Sequence, residues 1–198
     1  MLAALLADNE YTQVVCIGRR APQVSHAKLA CLTVDFSALP LLPAIDDCYI
    51  ALGTTIKVAG SQAAFRAVDF DAVVAVAKAA LASGATKLGV VSAMGAAARS
   101  TVFYNRVKGE MEQAVSVLGY ESIVIVRPSF LLGDHGELGQ PPRFAERSVQ
   151  AALRLLDPLI PVNYKAVHPQ QIARLLVASV KAAAPGVQRL SSGKARSF

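Results

Sequence analysis

Three side chains near the middle of the chain have the types and spacing for proton transfer at a carbonyl or alcohol: Ser92, Tyr104 and Lys108. A phenol ionises at roughly pH 10. An ammonium nearby favours the phenolate and brings that value toward neutrality, so the phenol can exchange a proton with a substrate oxygen. A serine hydroxyl within reach would orient that oxygen. A Tyr and a Lys four residues apart are common on any solvated helix face, so the pair means little alone. It gains meaning from Ser92, which ends the apolar run Lys87-Leu88-Gly89-Val90-Val91 just upstream.

The elements that must position these groups are a buried strand and the helix after it. Phe103, Val107, Met111, Ala114 and Leu118 make one apolar stripe, which predicts a helix over Ser100 to Gly119. Tyr104 and Lys108 lie one step round from that stripe, at the border between core and solvent. Ligands of open α/β sheets sit outside the carboxyl ends of the strands, which is where Ser92 lies.

The rest of the chain alternates strands and helices. Strands are expected over Gln13 to Gly18, Leu29 to Val34, Cys48 to Leu52 and Ser122 to Val126, with a last short one over Gly186 to Leu190. Helices are expected over Asp69 to Ser83, Phe144 to Leu156 and Pro169 to Ala184, and Leu2 to Ala7 reads as the end of another. Lys57, Gly60 and Ser61 belong to a polar loop, and Asp134 to Pro142 to a Gly- and Pro-rich one. The pattern implies α/β architecture, a doubly wound parallel sheet covered on both faces. No linker or repeat divides residues 1–198, so one domain is expected.

Composition narrows the function classes. Of 198 residues, 54% are hydrophobic and 17% charged, which excludes disorder. No run is long and apolar enough to span a membrane. The net charge is +6, but the basic residues are scattered and do not interleave with aromatics, so no nucleic-acid partner is expected. An anionic small-molecule ligand suits that charge better. Cys16, Cys31 and Cys48 fit no metal spacing and read as buried reduced thiols, which implies a cytoplasmic protein. His135, between Asp134 and Glu137, fits no metal set either, and His168 before Pro169 reads as a helix start. A homo-oligomer is compatible with the sequence, which does not fix oligomeric state.

Leu52-Gly53-Thr54-Thr55, Ala59-Gly60-Ser61, Val68-Asp69, Ser92-Ala93-Met94-Gly95-Ala96, Tyr104-Asn105-Arg106-Val107-Lys108-Gly109-Glu110 and Arg127-Pro128-Ser129 occur in order along the chain. Together they resemble the atypical short-chain dehydrogenases, in the branch related to the human Tat-interacting oxidoreductase. The resemblance covers the whole chain and implies a Rossmann-like fold that binds NADP(H). It implies that Arg19 and Arg20 hold the 2′-phosphate, that Asp35 and Phe36 lie near the adenine, and that Leu52, Gly53, Thr54 and Thr55 pass close to the pyrophosphate and ribose. Lys108 would also bind the nicotinamide ribose, and Pro128 and Ser129 would flank the nicotinamide. Ser92 is followed by Ala93 where many relatives carry paired serines.

The resemblance departs at the start. The family's first strand and its Gly-x-x-Gly-x-x-Gly turn have no counterpart ahead of Leu2 to Ala7, a piece of roughly 15 residues. A sheet lacking its usual first strand would leave two buried strand edges unpaired. Three outcomes are open: a longer natural protein, direct pairing of the two flanking strands, or a partner segment in the gap. The 198-residue chain is expected to bind NADP(H) poorly. Two functions stand side by side: an NADP(H)-dependent oxidoreductase with a small carbonyl or alcohol substrate, and a non-catalytic cofactor-sensing or partner-binding module of the same fold. The segment Gly133 to Phe144 is the expected substrate-side loop.

Overall fold

Runs of β-branched residues, too short for helices, form the parallel strands of a computed structural model. The structure describes residues 1–129 and 167–195. The expected loop from Gly133 to Phe144, His135 and the expected helix over Phe144 to Leu156 lie outside the described residues. The order is α1 (Leu2–Ala7), β1 (Val14–Gly18), β2 (Leu29–Thr33), β3 (Asp47–Ile50), α2 (Ile56–Ala59), α3 (Gln62–Arg66), a π-helical turn (Ala67–Ala72), α4 (Val73–Ala82), β4 (Lys87–Val91), α5 (Phe103–Ser116), β5 (Ser122–Arg127), α6 (Pro169–Lys181), β6 (Gly186–Ser191) and α7 (Ser192–Ala195).

β3, β4, β5 and β6 form one parallel sheet in that order, with Cys48 opposite Leu88, Leu88 opposite Ile123 and Ile123 opposite Val187. One face carries α4 and α5, whose Val73, Val76, Met111 and Val115 close over Ile50, Leu88, Val90 and Ile123. The other face carries α6, whose Leu176 and Val180 pack with Val124 and Val126. Gly89 lets α6 approach: a Cβ there would lie 2.9 Å from Val180 and 3.1 Å from Leu176.

β1 and β2 form a separate two-stranded parallel sheet. Of the three outcomes open for the missing strand, direct pairing of β1 with β3 is not what the structure adopts. A cavity of about 230 Å³ lies between them instead, lined by Val15 and Ile17 of β1, Asp47 and Tyr49 of β3, and Val76 and Ala80 of α4. The Tyr11 hydroxyl, ahead of β1, spans the amino end of the gap by donating to Asp47 Oδ2 at 2.6 Å. That bond links the segment ahead of β1 to the first residue of β3.

Three other expectations change. The polar loop after β3 contains two short helices, because Thr55 and Ser61 cap them by accepting from the Val58 and Ala64 amides. The helix expected from Asp69 starts earlier, and Asp69 lies inside it, on the π-helical turn. The cysteines are not uniformly buried: Cys48 is, Cys16 is half-buried and Cys31 is exposed, since β2 is an edge strand with little cover.

Candidate functional site

Most of the sequence-chosen residues follow directly on the carboxyl ends of strands. Arg19 and Arg20 follow β1, Asp35 and Phe36 follow β2, Leu52 to Thr55 follow β3, Ser92 follows β4, and Pro128 and Ser129 follow β5. Arg19 and Arg20 are exposed. Asp35 accepts from the Ser37 amide and hydroxyl, and those bonds, the backbone one foremost, hold its carboxyl below the usual range. Phe36 is half-buried against the main core.

Tyr104 and Lys108 sit in the first turns of α5, one turn apart. What packs around Lys108 was not foreseen. Its ammonium lies 2.7 Å from Asp69 Oδ1, with Lys108 3% and Asp69 0% exposed. The other Asp69 oxygen accepts from the Thr54 amide at 2.9 Å. Gly53 lies over this pair, and a Cβ there would lie 3.4 Å from Asp69 Oδ1 and 3.8 Å from Lys108 Nζ. A side chain at Gly53 would therefore cover the pair. Thr54, Asp69 and Lys108 bind the loop after β3 to α5.

The Tyr104 ring lies 5.4 Å from Phe65, whose ring is fully buried. Burial pushes the Tyr104 phenol above its ordinary value, and the Asp69 charge adds to the rise. The sequence expectation was the reverse. Lys108 is paired with a carboxylate, so its charge is offset where the phenol would use it.

Ser92 is 5% exposed, and its hydroxyl donates to Glu112 Oε1 at 2.6 Å. Glu112 also accepts from Arg127 at 2.9 and 2.6 Å and from Arg189 Nε at 3.3 Å. One buried carboxylate thus ties β4, β5 and β6 to α5. The Ser92 proton is directed into this network, leaving only its lone pairs for another oxygen. Close helix approach places the whole group: a Cβ on Gly109 would lie 2.2 Å from the backbone of Ala97 and Ala98.

Sequence reasoning missed Asp69 and Glu112 as site residues. Both had a signal. Asp69 extends the buried stripe of Val73, Val76 and Ala80, and Glu112 neighbours Met111 and Val115. A carboxylate on a core stripe requires a cationic partner. Among the described residues no cluster of His, Cys, Asp or Glu is arranged to hold a metal ion.

Known proteins share this arrangement of chain. No family model matches. A protein named fmp52, mitochondrial, from Emericella nidulans is 36% identical over 166 residues, which are 77% of this chain and 70% of that protein. The chain belongs to this family. The rat protein HTATIP2 is 33% identical over 144 residues, 69% of this chain and 59% of its own length. The relatives thus include both FMP52 and HTATIP2 proteins, in line with the branch that the motifs resemble.

Two solved structures agree on the fold. MoeE5 in complex with UDP-glucose and NAD has a TM-score of 0.66 at 17% identity, covering 92% of this chain and 69% of that one. UDP-N-acetylglucosamine 4-epimerase from Methanobrevibacter ruminantium M1 has a TM-score of 0.68 at 14% identity, covering 96% and 73%. The fold is the Rossmann-like one of these proteins, with a truncated sheet. The expected cytoplasmic location does not stand: FMP52 relatives from Emericella nidulans, Scheffersomyces stipitis and Candida albicans are named as mitochondrial proteins.

Proposed function

We propose that this chain is an NADP(H)-dependent oxidoreductase acting on a small carbonyl or alcohol substrate. The observation that carries the reading is the Gly53 cradle over the Asp69–Lys108 pair, with Tyr104 one turn away on α5. A backbone bare of side chain beside a held ammonium fits a ribose, whose hydroxyls can accept from that ammonium. Arg19 and Arg20 offer guanidinium forks for a 2′-phosphate at the tip of β1. Asp35 and Phe36 would border the adenine, and Leu52, Thr54, Thr55, Pro128 and Ser129 would line the rest of the cofactor's path. The cofactor supplies or takes the hydride when bound.

The chain's own residues then divide the work. Tyr104, kept protonated by its surroundings, would donate its proton to a carbonyl oxygen. Lys108 binds ribose and is fixed by Asp69. Ser92, with its proton given to Glu112, holds the floor of the site and does not donate to the substrate. Replacing Tyr104 by Phe is expected to leave NADPH binding intact and to remove reductase activity across a panel of aldehydes and ketones. Turnover equal to the parent's would take Tyr104 out of the reaction.

A second reading is a cofactor-sensing or partner-binding module that does not turn over. The committed Ser92 proton and the unfilled gap between β1 and β3 favour it. NADPH binding without turnover of any carbonyl in the panel would select this reading.

A further inference from the structure

β1 and β2 run parallel in a register that places Cys16 directly opposite Cys31. Residues in register on neighbouring strands project to the same face, so the two thiols are side by side. Two residues earlier on that face, the Val14/Leu29 pair is packed in a cluster with Leu5 and Leu6 of α1. That cover thins at the cysteines: Cys16 is half-buried and Cys31 is exposed on the edge strand. The two groups sense each other electrostatically: burial pushes the Cys16 thiol up, and Cys31 beside it adds to the rise. Cys48 is buried within the core of the other sheet.

We propose that Cys16 and Cys31 are a modification site, a cross-strand dithiol that a peroxide converts reversibly to a disulfide. Adjacent strands place Cα atoms about 4.8 Å apart, within the range of roughly 4.4–6.8 Å that a disulfide needs. Directly opposed Cβ atoms on neighbouring strands stand slightly wide of the disulfide optimum, so the bond forms with strain and is readily reduced.

The exposed Cys31 reacts first. Its thiolate attacks a peroxide oxygen, the O–O bond breaks, and the departing hydroxide takes up a proton as water, leaving a sulfenic acid. The Cys16 sulfur then attacks the Cys31 sulfur, the S–O bond breaks, and a second water leaves. The two thiols lose two electrons and two protons, and the peroxide is reduced to two waters. The bond would tie β1 to β2 two residues before Gly18, at the edge that ends in Arg19, Arg20 and Asp35.

The test treats the folded chain with hydrogen peroxide, blocks remaining thiols with an alkylating agent, and reads intact mass and a peptide map. The expected result is loss of two hydrogens, a Cys16–Cys31 linked peptide, and full recovery with dithiothreitol. Cys31→Ser is expected to abolish the link, and Cys48→Ser to leave it in place. Circular dichroism of each variant checks that the fold is retained. Over-oxidation of Cys31 with no internal link, a disulfide between two chains, or equal linking after unfolding in urea would each overturn the proposal.

Discussion

Lys108 Nζ stands 2.7 Å from Asp69 Oδ1, and neither side chain has appreciable contact with solvent. Gly53 lies directly over them. This pair fixes the ammonium that the cofactor reading needs, and its carboxylate adds to the burial that holds Tyr104 protonated. A buried ion pair adds little net stability, yet removing one partner strands the other charge.

Asp69→Asn strands that charge. The chain is expected to lose about 3 kcal/mol, because Lys108 would remain buried and unpaired. The Tyr104 phenol is expected to move part of the way back down, since the Asp69 charge is the smaller of the two causes of its rise. Urea unfolding measures the first effect. Phenolate absorbance of Asp69→Asn, compared with the same variant carrying Tyr104→Phe, measures the second.

Ser92→Ala separates scaffold from catalyst. Its hydroxyl donates to a buried carboxylate, a bond worth about 2 kcal/mol of stability. Turnover of the folded variant is expected to stay close to the parent's. A fall of about 100-fold or more, the size of a lost proton-transfer or orienting group, would restore Ser92 to the reaction.

Alkaline pH is expected to weaken the fold early. Tyr11, Tyr49, Tyr104 and Tyr120 are all held above the ordinary phenol value, each chiefly by burial. A group that binds its proton more tightly when folded contributes stability in full below its unfolded pKa of roughly 10 and loses it as pH rises toward the folded value. Unfolding midpoints should therefore be level up to about pH 9 and fall above 10. Tyrosines that titrate normally in the intact fold would contradict the burial described.

The strands were legible because each is a short run of apolar, mostly β-branched residues between turn formers, and the helix over Phe103–Ser116 because its stripe is regular. The gap between β1 and β3 was legible as a missing strand, but its consequence was not. Whether two edges close up depends on Tyr11, Asp47 and the α4 side chains between them, which only packing decides. Asp69 was read as a helix start because an Asp before an apolar stripe has that signature. The helix instead continues back through a π-helical turn, which places Asp69 inside it with its carboxylate against Lys108. The direction of the Tyr104 shift failed because its chief cause is burial of the phenol, with the carboxylate that another helix brings to Lys108 adding to it, and spacing along one helix shows neither.

The most direct measurement is a fluorescence titration of the 198-residue chain with NADPH and NADH in parallel, repeated on Arg19→Ala/Arg20→Ala. Weak but saturable NADPH binding is expected, tighter than NADH, with that preference lost in the double variant. Preference for NADH, no saturation by either nucleotide, or a preference that survives loss of both arginines would contradict the account.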